Sequence, residues 1–417
     1  MSVEGWEKTK ISQFGEIVTG STPDTQNLDY WDGDIPFVSP SDFNSSAFVL
    51  TTDKTLTSQG AKQARNISEN SILVTCIGSI GGIAIAPWKC VTNQQINSVI
   101  CRKNFDALFI YYLIKNNLCK LQVLAGATTL PIINKSTFGN IEIVCPKSKS
   151  EQEKIAEVLS TLDRAIAQTE AIIAKQQRIK TGLMQDLLTK GIDEHGNIRS
   201  EATHEFKDSA IGRIPEEWDV EPCGSICKEI IVGIVIRPAQ YYQPSGVPVL
   251  RSANVKENAI YFSDLVYMSE KDNDSLSKSR LFTGDLVTVR TGYPGTTAVI
   301  PPELDGCNCV DIVISRPDTR QIRSNFLALW INSDFGKKQV LEGQGGLAQQ
   351  HFNVGQVRKL LVKVPTIEEQ SRIEDFLFIQ SNSIVKYQQH LRKLHRVQIG
   401  LMQDLLTGKV RVTNLLE

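Results

Sequence analysis

One segment of eight residues occurs twice in this chain without a single difference. The octapeptide GLMQDLLT occupies residues 182–189 and returns at residues 400–407. The residues upstream of the first copy, 152–181, also align without a gap with residues 370–399. Such an identity is very improbable by chance, so we infer that the chain contains an internal duplication.

Each copy of the duplicated segment is predicted to form one long helix. Both copies open with Ser or Thr followed three residues later by Glu, at 148–151 and 366–369, which is the spacing of a helix capping box. Both copies end near a glycine, Gly191 and Gly408, as helices often do.

The two helices are predicted to pair with each other. At a 4-3 spacing, seven of ten positions from Ile155 to Leu187 and eight of ten from Ile373 to Leu405 are apolar. A 3.5-residue repeat of this length is typical of a coiled-coil seam. About 40 residues at ~1.5 Å each give a rod of roughly 60 Å, and neither rod can bury its seam alone. We therefore expect an antiparallel coiled coil, since two unrelated surface helices would not share an identical sequence.

The rest of the chain repeats a β-rich pattern. Trp6 aligns with Trp218, and the β-rich runs 72–76 and 286–289 are each followed by Gly-x-x-Gly. These glycines favour a tight turn between two strands over a phosphate-binding loop, because the Lys-Ser/Thr of a P-loop is missing. Each repeat also contains a predicted short helix, at residues 109–117 and 326–334, and a predicted last strand, at residues 141–145 and 360–364.

The order of these features predicts an α+β fold with two repeated β-rich domains, each followed by a long helix. The predicted boundaries are 1–147 for the first domain, 148–190 for the first helix, 191–214 for a polar linker, 215–365 for the second domain, 366–408 for the second helix and 409–417 for a C-terminal tail.

Composition limits the function further. The chain of 417 residues has a formal net charge of −1, which is not the strongly basic balance of a stand-alone DNA-binding protein. It has no apolar run near ~18 residues, so no membrane span or membrane partner is expected. Its first residues lack the layout of a signal peptide. Nine scattered cysteines suit a reducing cytoplasm.

Residues with metal-binding or catalytic spacing are scarce. The cysteine pairs within 223–227 and 307–309 fit no standard zinc pattern, so core or surface thiols are the favoured interpretation. Glu-x-Lys at 205–207 could imitate a nuclease metal site together with Asp193, but a solvated linker explains it better. The chain has no Asn-Pro-Pro-Tyr-type methyltransferase loop, Gly-x-Ser-x-Gly, His-Glu-x-x-His or P-loop. We expect neither a catalytic residue nor a metal site.

Polar residues collect in loops of both repeats. Asn, Gln, Arg, Ser and Asp can read base edges in a DNA groove, but they are also common in ordinary loops. The divergence between the repeats is more informative, because the scaffold repeats whereas the polar loops do not. Two copies of one reader with different target sequences would have this pattern. The loops lie at residues 19–27, 39–42, 92–95, 234–237, 251–254 and 308–311.

Several of these segments resemble one known family. Residues 19–23 and 30–42 resemble the opening of target recognition domains in the specificity (S) subunits of type I restriction–modification systems, and so do residues 212–218. A proline followed by Glu-Gln before each long helix, and GLMQDLLT at its end, resemble the helical regions of the same family. The resemblance covers nearly the whole chain. It departs at 232–236, where Val-Gly-Ile-Val-Ile replaces Gly-Ser-Thr-Pro.

The resemblance implies a role in a larger complex. Each domain would read one half of a bipartite double-stranded DNA target, and the paired helices would set the spacer, with half-sites about one helical turn apart. Two methyltransferase (M) subunits would dock on the chain, bind S-adenosylmethionine, and flip and methylate an adenine in each half-site. Restriction (R) subunits would add ATP- and Mg²⁺-dependent cleavage. This chain would be a non-catalytic, cytoplasmic specificity subunit that carries no cofactor of its own.

The resemblance also assigns residues by position. The candidate DNA-binding residues are Ser21, Thr22, Tyr30, Ser41, Asp42, Asn93, Gln94, Lys135, Arg251, Asn254, Arg290, Tyr293, Gln349 and His351. The candidate M-subunit contacts are Met184, Leu188, Met402 and Leu406, for which burial against the adjoining domain is an equal alternative. We expect structural roles for Trp6, Trp218 and the Gly-x-x-Gly turns.

Two other classes of function remain open at this stage. One is a self-sufficient fused restriction or methyltransferase enzyme, against which the missing catalytic motifs argue. The other is a coiled-coil scaffold that does not bind DNA.

Overall fold

The chain folds into two compact units, each of which contains one of the repeats. The computed structural model describes residues 3–44, 46–125, 131–343 and 352–416. Unit 1 comprises Met1–Ala171 and Gln388–Glu417, and unit 2 comprises Ile172–Tyr387. Both boundaries fall inside the long helices, so each unit holds a globular repeat and a part of both helices.

The first half of the chain contains the globular part of unit 1 and the first long helix. Its strands and α-helices are β1 (Trp6–Lys10), α1 (Ile11–Phe14), β2 (Gly15–Thr19), β3 (Trp31–Val38), β4 (Lys54–Leu56), α2 (Ser58–Lys62), β5 (Asn66–Ile67), β6 (Ser71–Thr75), β7 (Ile83–Ala86), β8 (Cys90–Thr92), β9 (Ile96–Cys101), α3 (Ala107–Asn116), α4 (Leu118–Ala125), α5 (Lys135–Gly139), β10 (Glu142–Pro146) and α6 (Lys149–Leu187).

The second half repeats this order with different loop lengths. Its elements are β11 (Phe206–Lys207), β12 (Ile214–Pro215), β13 (Asp219–Pro222), α7 (Cys223–Ile226), β14 (Cys227–Val232), β15 (Val247–Leu250), β16 (Val255–Lys256), β17 (Ala259–Ile260), β18 (Val266–Met268), α8 (Glu270–Ser275), β19 (Leu286–Val289), β20 (Thr297–Val299), β21 (Asn308–Cys309), β22 (Ile312–Pro317), α9 (Ser324–Asn332), α10 (Asp334–Gly343), α11 (Val354–Lys359), β23 (Leu361–Val364) and α12 (Ile367–Leu405). Short 3-10 helices occur at Leu28–Tyr30, Pro40–Asp42, Pro238–Tyr241, Ser252–Asn254, Ser277–Ser279, Pro302–Leu304 and Thr413–Leu415.

The sheets of the two units have matching topologies. Unit 1 contains an antiparallel sheet of order β2-β9-β6-β7, and unit 2 contains the equivalent β14-β22-β19-β20. A second sheet of each unit contains one parallel pair, β3 with β8 in unit 1 and β15 with β21 in unit 2. Because parallel strands end at the same sheet edge, the loops that follow them are brought together.

The predicted turns and flanking elements are confirmed. The predicted strands 72–76 and 286–289 are β6 and β19, and each pairs antiparallel with the next strand across the Gly-x-x-Gly turn. In the first turn Gly78 and Gly81 have φ of 74° and 103°, and in the second Gly292 and Gly295 have φ of 82° and 86°. Glycine is the residue that adopts this region without strain, which explains the motif.

The two long helices each contain 39 residues and pack antiparallel, as predicted. In unit 1, Gln398 Nε2 of α12 donates to Asp163 Oδ1 of α6. In unit 2, Gln380 Nε2 of α12 donates to Gln176 Oε1 of α6 at 2.6 Å. The predicted seam positions of both helices are buried or half-buried. The apolar repeat therefore does form the contact between the helices.

A buried glutamine joins each globular repeat to its long helix. Gln152 is fully buried, accepts from the backbone N–H at the start of α3 (2.9 Å) and donates to the carbonyl of Pro146 (3.0 Å). Gln370 makes the same two contacts, to the start of α9 (2.8 Å) and to Pro365 (2.9 Å). The Glu-Gln dipeptide shared by both copies is thus explained by packing.

The predicted capping boxes are only half formed. Ser148 Oγ accepts from the backbone N–H of Glu151 at 3.3 Å, and Thr366 caps Glu369 in the same way. The glutamate side chains do not reach back to the helix start but accept from arginines. In unit 1, Arg411 donates to Glu151 through Nε (2.6 Å) and Nη2 (2.9 Å).

In unit 2, one buried carboxylate organises several chain segments. Glu369 accepts from the guanidinium of Arg199, from the backbone N–H of Ile192 (2.8 Å) and from Nε1 of Trp218 (3.0 Å). The predicted structural role of Trp218 is therefore confirmed. Part of the predicted solvated linker is built into this unit, because Ile192 and Arg199 are buried and β11 pairs with β12.

The described part of the chain contains no helix that is long and apolar enough to span a membrane.

Candidate nucleic-acid interface

In unit 1, three loops meet at one edge of the structure. These loops follow β2, β3 and β8. The backbone N–H of Ser21 donates to the carbonyl of Thr92 (2.8 Å), and that of Asn93 donates to the carbonyl of Val38 (3.0 Å). A Cβ at Gly20 would lie 2.1 Å from the carbonyl oxygen of Asn93. Only glycine permits this approach of the first loop to the third.

The structure brings several of the predicted residues together at this edge. Thr22 Oγ1 donates to Gln94 Oε1 at 2.7 Å, and both side chains are exposed. Ser21 Oγ accepts from the backbone N–H of Arg65 at 2.9 Å, and Asn93 is half-buried beside Gln94. We call Ser21, Thr22, Asn93 and Gln94 the unit 1 cluster. It offers amide and hydroxyl groups, which are the groups that read base edges.

Sequence reasoning missed one cation at this edge. Arg65 is exposed, and its Nη1 donates to the carbonyl of Thr19 at 2.7 Å. This bond holds the guanidinium beside the unit 1 cluster. Because Arg65 precedes β5 in an ordinary-looking segment far from the polar loops, the sequence offers no signal for it.

Two other predicted residues of unit 1 occupy different surroundings. Tyr30 ends a 3-10 helix next to α2, and its carbonyl accepts from the backbone N–H of Thr57 at 3.0 Å. Lys135 is exposed at the first position of α5. The segment before it lies beside the Gly-x-x-Gly turn, since the backbone N–H of Ile133 donates to the carbonyl of Cys76 at 2.8 Å. Contacts of Tyr30 and Lys135 with DNA stay predictions.

Unit 2 builds the same edge with different side chains. The backbone N–H of Ile234 donates to the carbonyl of Cys309 (2.9 Å), and that of Val310 donates to the carbonyl of Leu250 (2.9 Å). A Cβ at Gly233 would lie 2.6 Å from the carbonyl oxygen of Cys309. Gly233 therefore does in unit 2 what Gly20 does in unit 1. Residues 232–236, which depart from the pattern Gly-Ser-Thr-Pro, therefore retain its glycine and differ only in the residues that follow.

Charged and aromatic side chains surround this second edge. Arg290 forms an ion pair with Asp311 at 2.5 Å, and the backbone N–H of Asp311 donates to the carbonyl of Ile234. Arg251 Nη2 donates to the carbonyl of Asp264 at 2.6 Å. Tyr293 is 81% exposed at the tip of the β19–β20 turn. An arginine oriented by a carboxylate suits bidentate recognition of a base or a phosphate.

Two predicted DNA contacts are corrected, because their side chains are used inside the loops. Asp42 is buried and accepts from the backbone N–H groups of Ser39 (2.7 Å) and Asp53 (2.9 Å). Asn254 is buried and accepts from the backbone N–H of Arg251 (3.0 Å). Both residues close the 3-10 turn that follows β3 or β15. We therefore assign them to loop positioning. Ser41, which is exposed beside Asp42, stays a predicted contact.

Two predicted DNA-binding residues, Gln349 and His351, lie outside the described residues.

The predicted partner contacts are revised for two of the four residues. Leu188 and Leu406 are 0% and 2% exposed and belong to the hydrophobic cores of unit 2 and unit 1. For these leucines, the alternative of burial is correct. Met184 and Met402 are half-buried against the same cores, so their contact with a partner stays a prediction.

The four cysteines with suggestive spacing are core residues. Cys223, Cys227, Cys307 and Cys309 are buried. Burial raises the pKa of the Cys307 thiol to about 12, so this thiol is neutral near pH 7. Within the described ranges, no group of three or more His, Cys, Asp or Glu side chains is placed to hold a metal ion.

Comparison with known proteins shows what this chain is similar to. A family model described as the type I restriction modification DNA specificity domain matches residues 3–177. The MjaIX specificity subunit of a type I restriction enzyme from Methanocaldococcus jannaschii is 23% identical, over 98% of this chain and 94% of its own. The MjaVIII specificity subunit of the same organism is 26% identical over 99% of this chain and 94% of its own.

A solved structure shares the fold. The type I restriction–modification S subunit from M. genitalium superposes with a TM-score of 0.59 at 16% sequence identity, over 97% of this chain and 96% of that chain. The duplicated scaffold, the paired helices and these likenesses agree over nearly the full length of the chain. Residues 3–177 match the type I restriction modification DNA specificity domain, and the whole chain is similar to type I restriction–modification specificity subunits over nearly its full length.

Proposed function

We propose that this chain selects the DNA sequence for a type I restriction–modification complex, with each unit reading one half of a bipartite target. One observation carries the proposal. Both units build the same edge from equivalent strands, yet they present different side chains there. After Gly20, unit 1 presents Thr22 beside Gln94, whereas after Gly233, unit 2 presents Val235 beside Asp311. Two domains that recognise different DNA sequences are expected to share the supporting strands and to differ in the side chains that contact the bases.

The side chains at the two edges suit base recognition in the major groove. A fixed amide such as that of Gln94 can pair with adenine, and a carboxylate-oriented guanidinium such as that of Arg290 can pair with guanine. Exposed cations at the same edges, Arg65 in unit 1 and Arg237 in unit 2, suit phosphate contacts that position the protein. The net charge of −1 fits a division of labour in which partner subunits supply much of the phosphate contact.

In this proposal the paired helices act as a spacer between the half-sites. Each is one uninterrupted helix, and their antiparallel pairing is fixed by buried seam residues in both units. Such a rod resists compression and bending, so it can hold half-sites about one DNA turn apart.

Two methyltransferase subunits are proposed to dock on exposed apolar side chains of the helices. In unit 2, Phe378 and Ile379 on α12 are 65% and 68% exposed, and in unit 1 Val397 and Ile399 on the same helix are 50% and 67% exposed. These partners would bind S-adenosylmethionine and methylate a flipped adenine in each half-site. Restriction subunits would bring ATP and Mg²⁺. This chain would contribute specificity without catalysis.

The proposal is tested by mapping N6-methylated adenines across the genome of cells with and without this chain, in the presence of its methyltransferase partner. The expected result is one bipartite motif with a fixed, unspecified spacer that is methylated only when the chain is present. An unchanged methylation map contradicts the proposal and favours a scaffold that does not bind DNA. Methylation or cleavage by the purified chain alone, with S-adenosylmethionine or Mg²⁺, would identify it as a self-sufficient enzyme.

A further inference from the structure

The edge of unit 2 exposes two β-branched apolar side chains. Val235 is 50% exposed and Ile236 is 75% exposed. They are the second and third residues after Gly233, at the positions that Thr22 and Pro23 occupy after Gly20 in unit 1. Burial of apolar surface is favourable, so these two adjacent β-branched side chains would gain free energy from contact with an apolar group of a ligand.

This apolar tip is held in place by the surrounding backbone. Ile234 donates its backbone N–H to the carbonyl of Cys309 and accepts, through its own carbonyl, from the backbone N–H of Asp311 (3.1 Å). Arg237 ends the tip in a left-handed conformation with φ of 43°, and its side chain is exposed. The sequence Val-Ile-Arg thus presents two apolar groups followed by one cation from a fixed strand end.

More apolar surface adjoins the same edge. Tyr261 and Phe262 are 55% and 51% exposed, and their loop is tied to the turn after β15, because Asn254 Nδ2 donates to the carbonyls of Tyr261 (3.2 Å) and Ser263 (2.9 Å). The exposed Tyr293 lies at the tip of the turn that Arg290 begins. Unit 2 therefore exposes apolar groups at positions where the unit 1 cluster exposes amide and hydroxyl groups.

The DNA major groove offers one apolar recognition group, the 5-methyl of thymine. A β-branched side chain suits this group, because its χ1 is already restricted and little rotamer freedom is lost on contact. Arg237, which follows immediately, can pair with the neighbouring phosphate.

We propose that Val235 and Ile236 contact the 5-methyl group of thymine, so that unit 2 reads its half-site in part by methyl recognition while unit 1 reads by hydrogen bonds. This inference rests on the proposed function. It goes further by naming the residues and the chemical group that carry specificity in one of the two half-sites.

The test uses the full chain in complex with its methyltransferase subunits and a duplex carrying the mapped bipartite motif. Thymines are replaced by deoxyuracil in one half-site at a time, which removes only the methyl group and keeps base pairing. We expect wild-type affinity to fall about fourfold per contacted methyl in one half-site, and to be unchanged in the other.

Two variants assign the effect to the apolar tip. Ile236→Ser should reduce the difference between thymine and uracil in the sensitive half-site. Because Ile236 is 75% exposed, the substitution should leave folding intact. Leu341→Ser changes a residue on α10 in the same unit that is 68% exposed, and it should preserve the full thymine preference.

Several results would overturn the inference. Equal affinity for thymine and uracil in both half-sites would exclude methyl recognition. So would an effect of Ile236→Ser on the binding of a half-site that contains no thymine. Loss of methyltransferase subunits from the Ile236→Ser complex would identify the tip as a protein contact. If the complex binds no bipartite duplex at all, the proposed function itself fails, whereas sequence-specific binding without a uracil effect refutes only this inference.

Discussion

Replacement of Glu369 by glutamine is expected to destabilise unit 2 strongly. The carboxylate is 2% exposed and accepts from Arg199, from the N–H of Ile192 and from Nε1 of Trp218. In Glu369→Gln, the charge of Arg199 loses its buried partner, and the new NH₂ group has only donors to face. Breaking a buried ion pair in this way costs about 3–5 kcal/mol, which for a unit of this size lowers Tm on the order of 10 °C.

The assay is thermal unfolding of the full chain, followed by tryptophan fluorescence, with Glu151→Gln as the matched variant. Glu151 accepts from Arg411, whose side chain is 29% exposed, so solvent can compensate and the expected loss is smaller. The double variant Glu369→Gln with Arg199→Met should recover part of the lost stability, because the buried guanidinium is gone and its remaining ion pair with Glu217, which is 63% exposed, contributes little. A Tm for Glu369→Gln within about 2 °C of wild type, which corresponds to less than ~1 kcal/mol, would refute this reasoning.

Three further perturbations follow from the structure. Burial lowers the pKa of Lys363 from 10.5 to about 8. Between pH 8 and 10.5 the unfolded chain therefore binds one more proton than the folded chain, and the free energy of unfolding should rise with pH. Lys363→Met should remove this rise, measured by urea unfolding, and should be more stable than wild type at pH 7. Gly20→Ala places a methyl group against the carbonyl of Asn93, so it should lower Tm and reduce DNA affinity in a binding titration. The control Gly182→Ala has open space around it and lies inside α6, so it should leave DNA affinity unchanged and should not lower Tm. Four residues inserted in α6 after Thr181 should lengthen the spacer of the mapped methylation motif and leave both half-sites the same; an unchanged spacer in a folded, active variant would refute the role of the helices as a spacer.

The sequence predicted the features that depend on local pattern. The seam of α6 and α12 follows from a 3.5-residue repeat, and the left-handed turns follow from Gly-x-x-Gly. Both are set by short-range periodicity or backbone geometry, so they can be recognised without knowing the tertiary structure. Duplication strengthened each prediction, because the same element had to fold twice.

Features that depend on tertiary contacts were predicted less well. Asp42 looked like a base contact, but two backbone N–H groups from different segments occupy its carboxylate. For Leu188 the sequence left a partner contact and burial as equal alternatives, and the folded chain shows that the core of unit 2 covers it. Arg65 gave no signal, because its place beside the unit 1 cluster depends on a hydrogen bond to Thr19 that only the folded chain creates.

The central claim is that the two units read separate halves of one target. It is tested most directly by mapping the methylated motif of cells that carry the double variant Thr22→Val with Gln94→Ala, which alters the exposed groups of unit 1 alone. The account predicts that specificity relaxes in one half-site while the spacer and the other half-site stay as in the wild type. Relaxation of both half-sites together, or an unchanged motif, would contradict it.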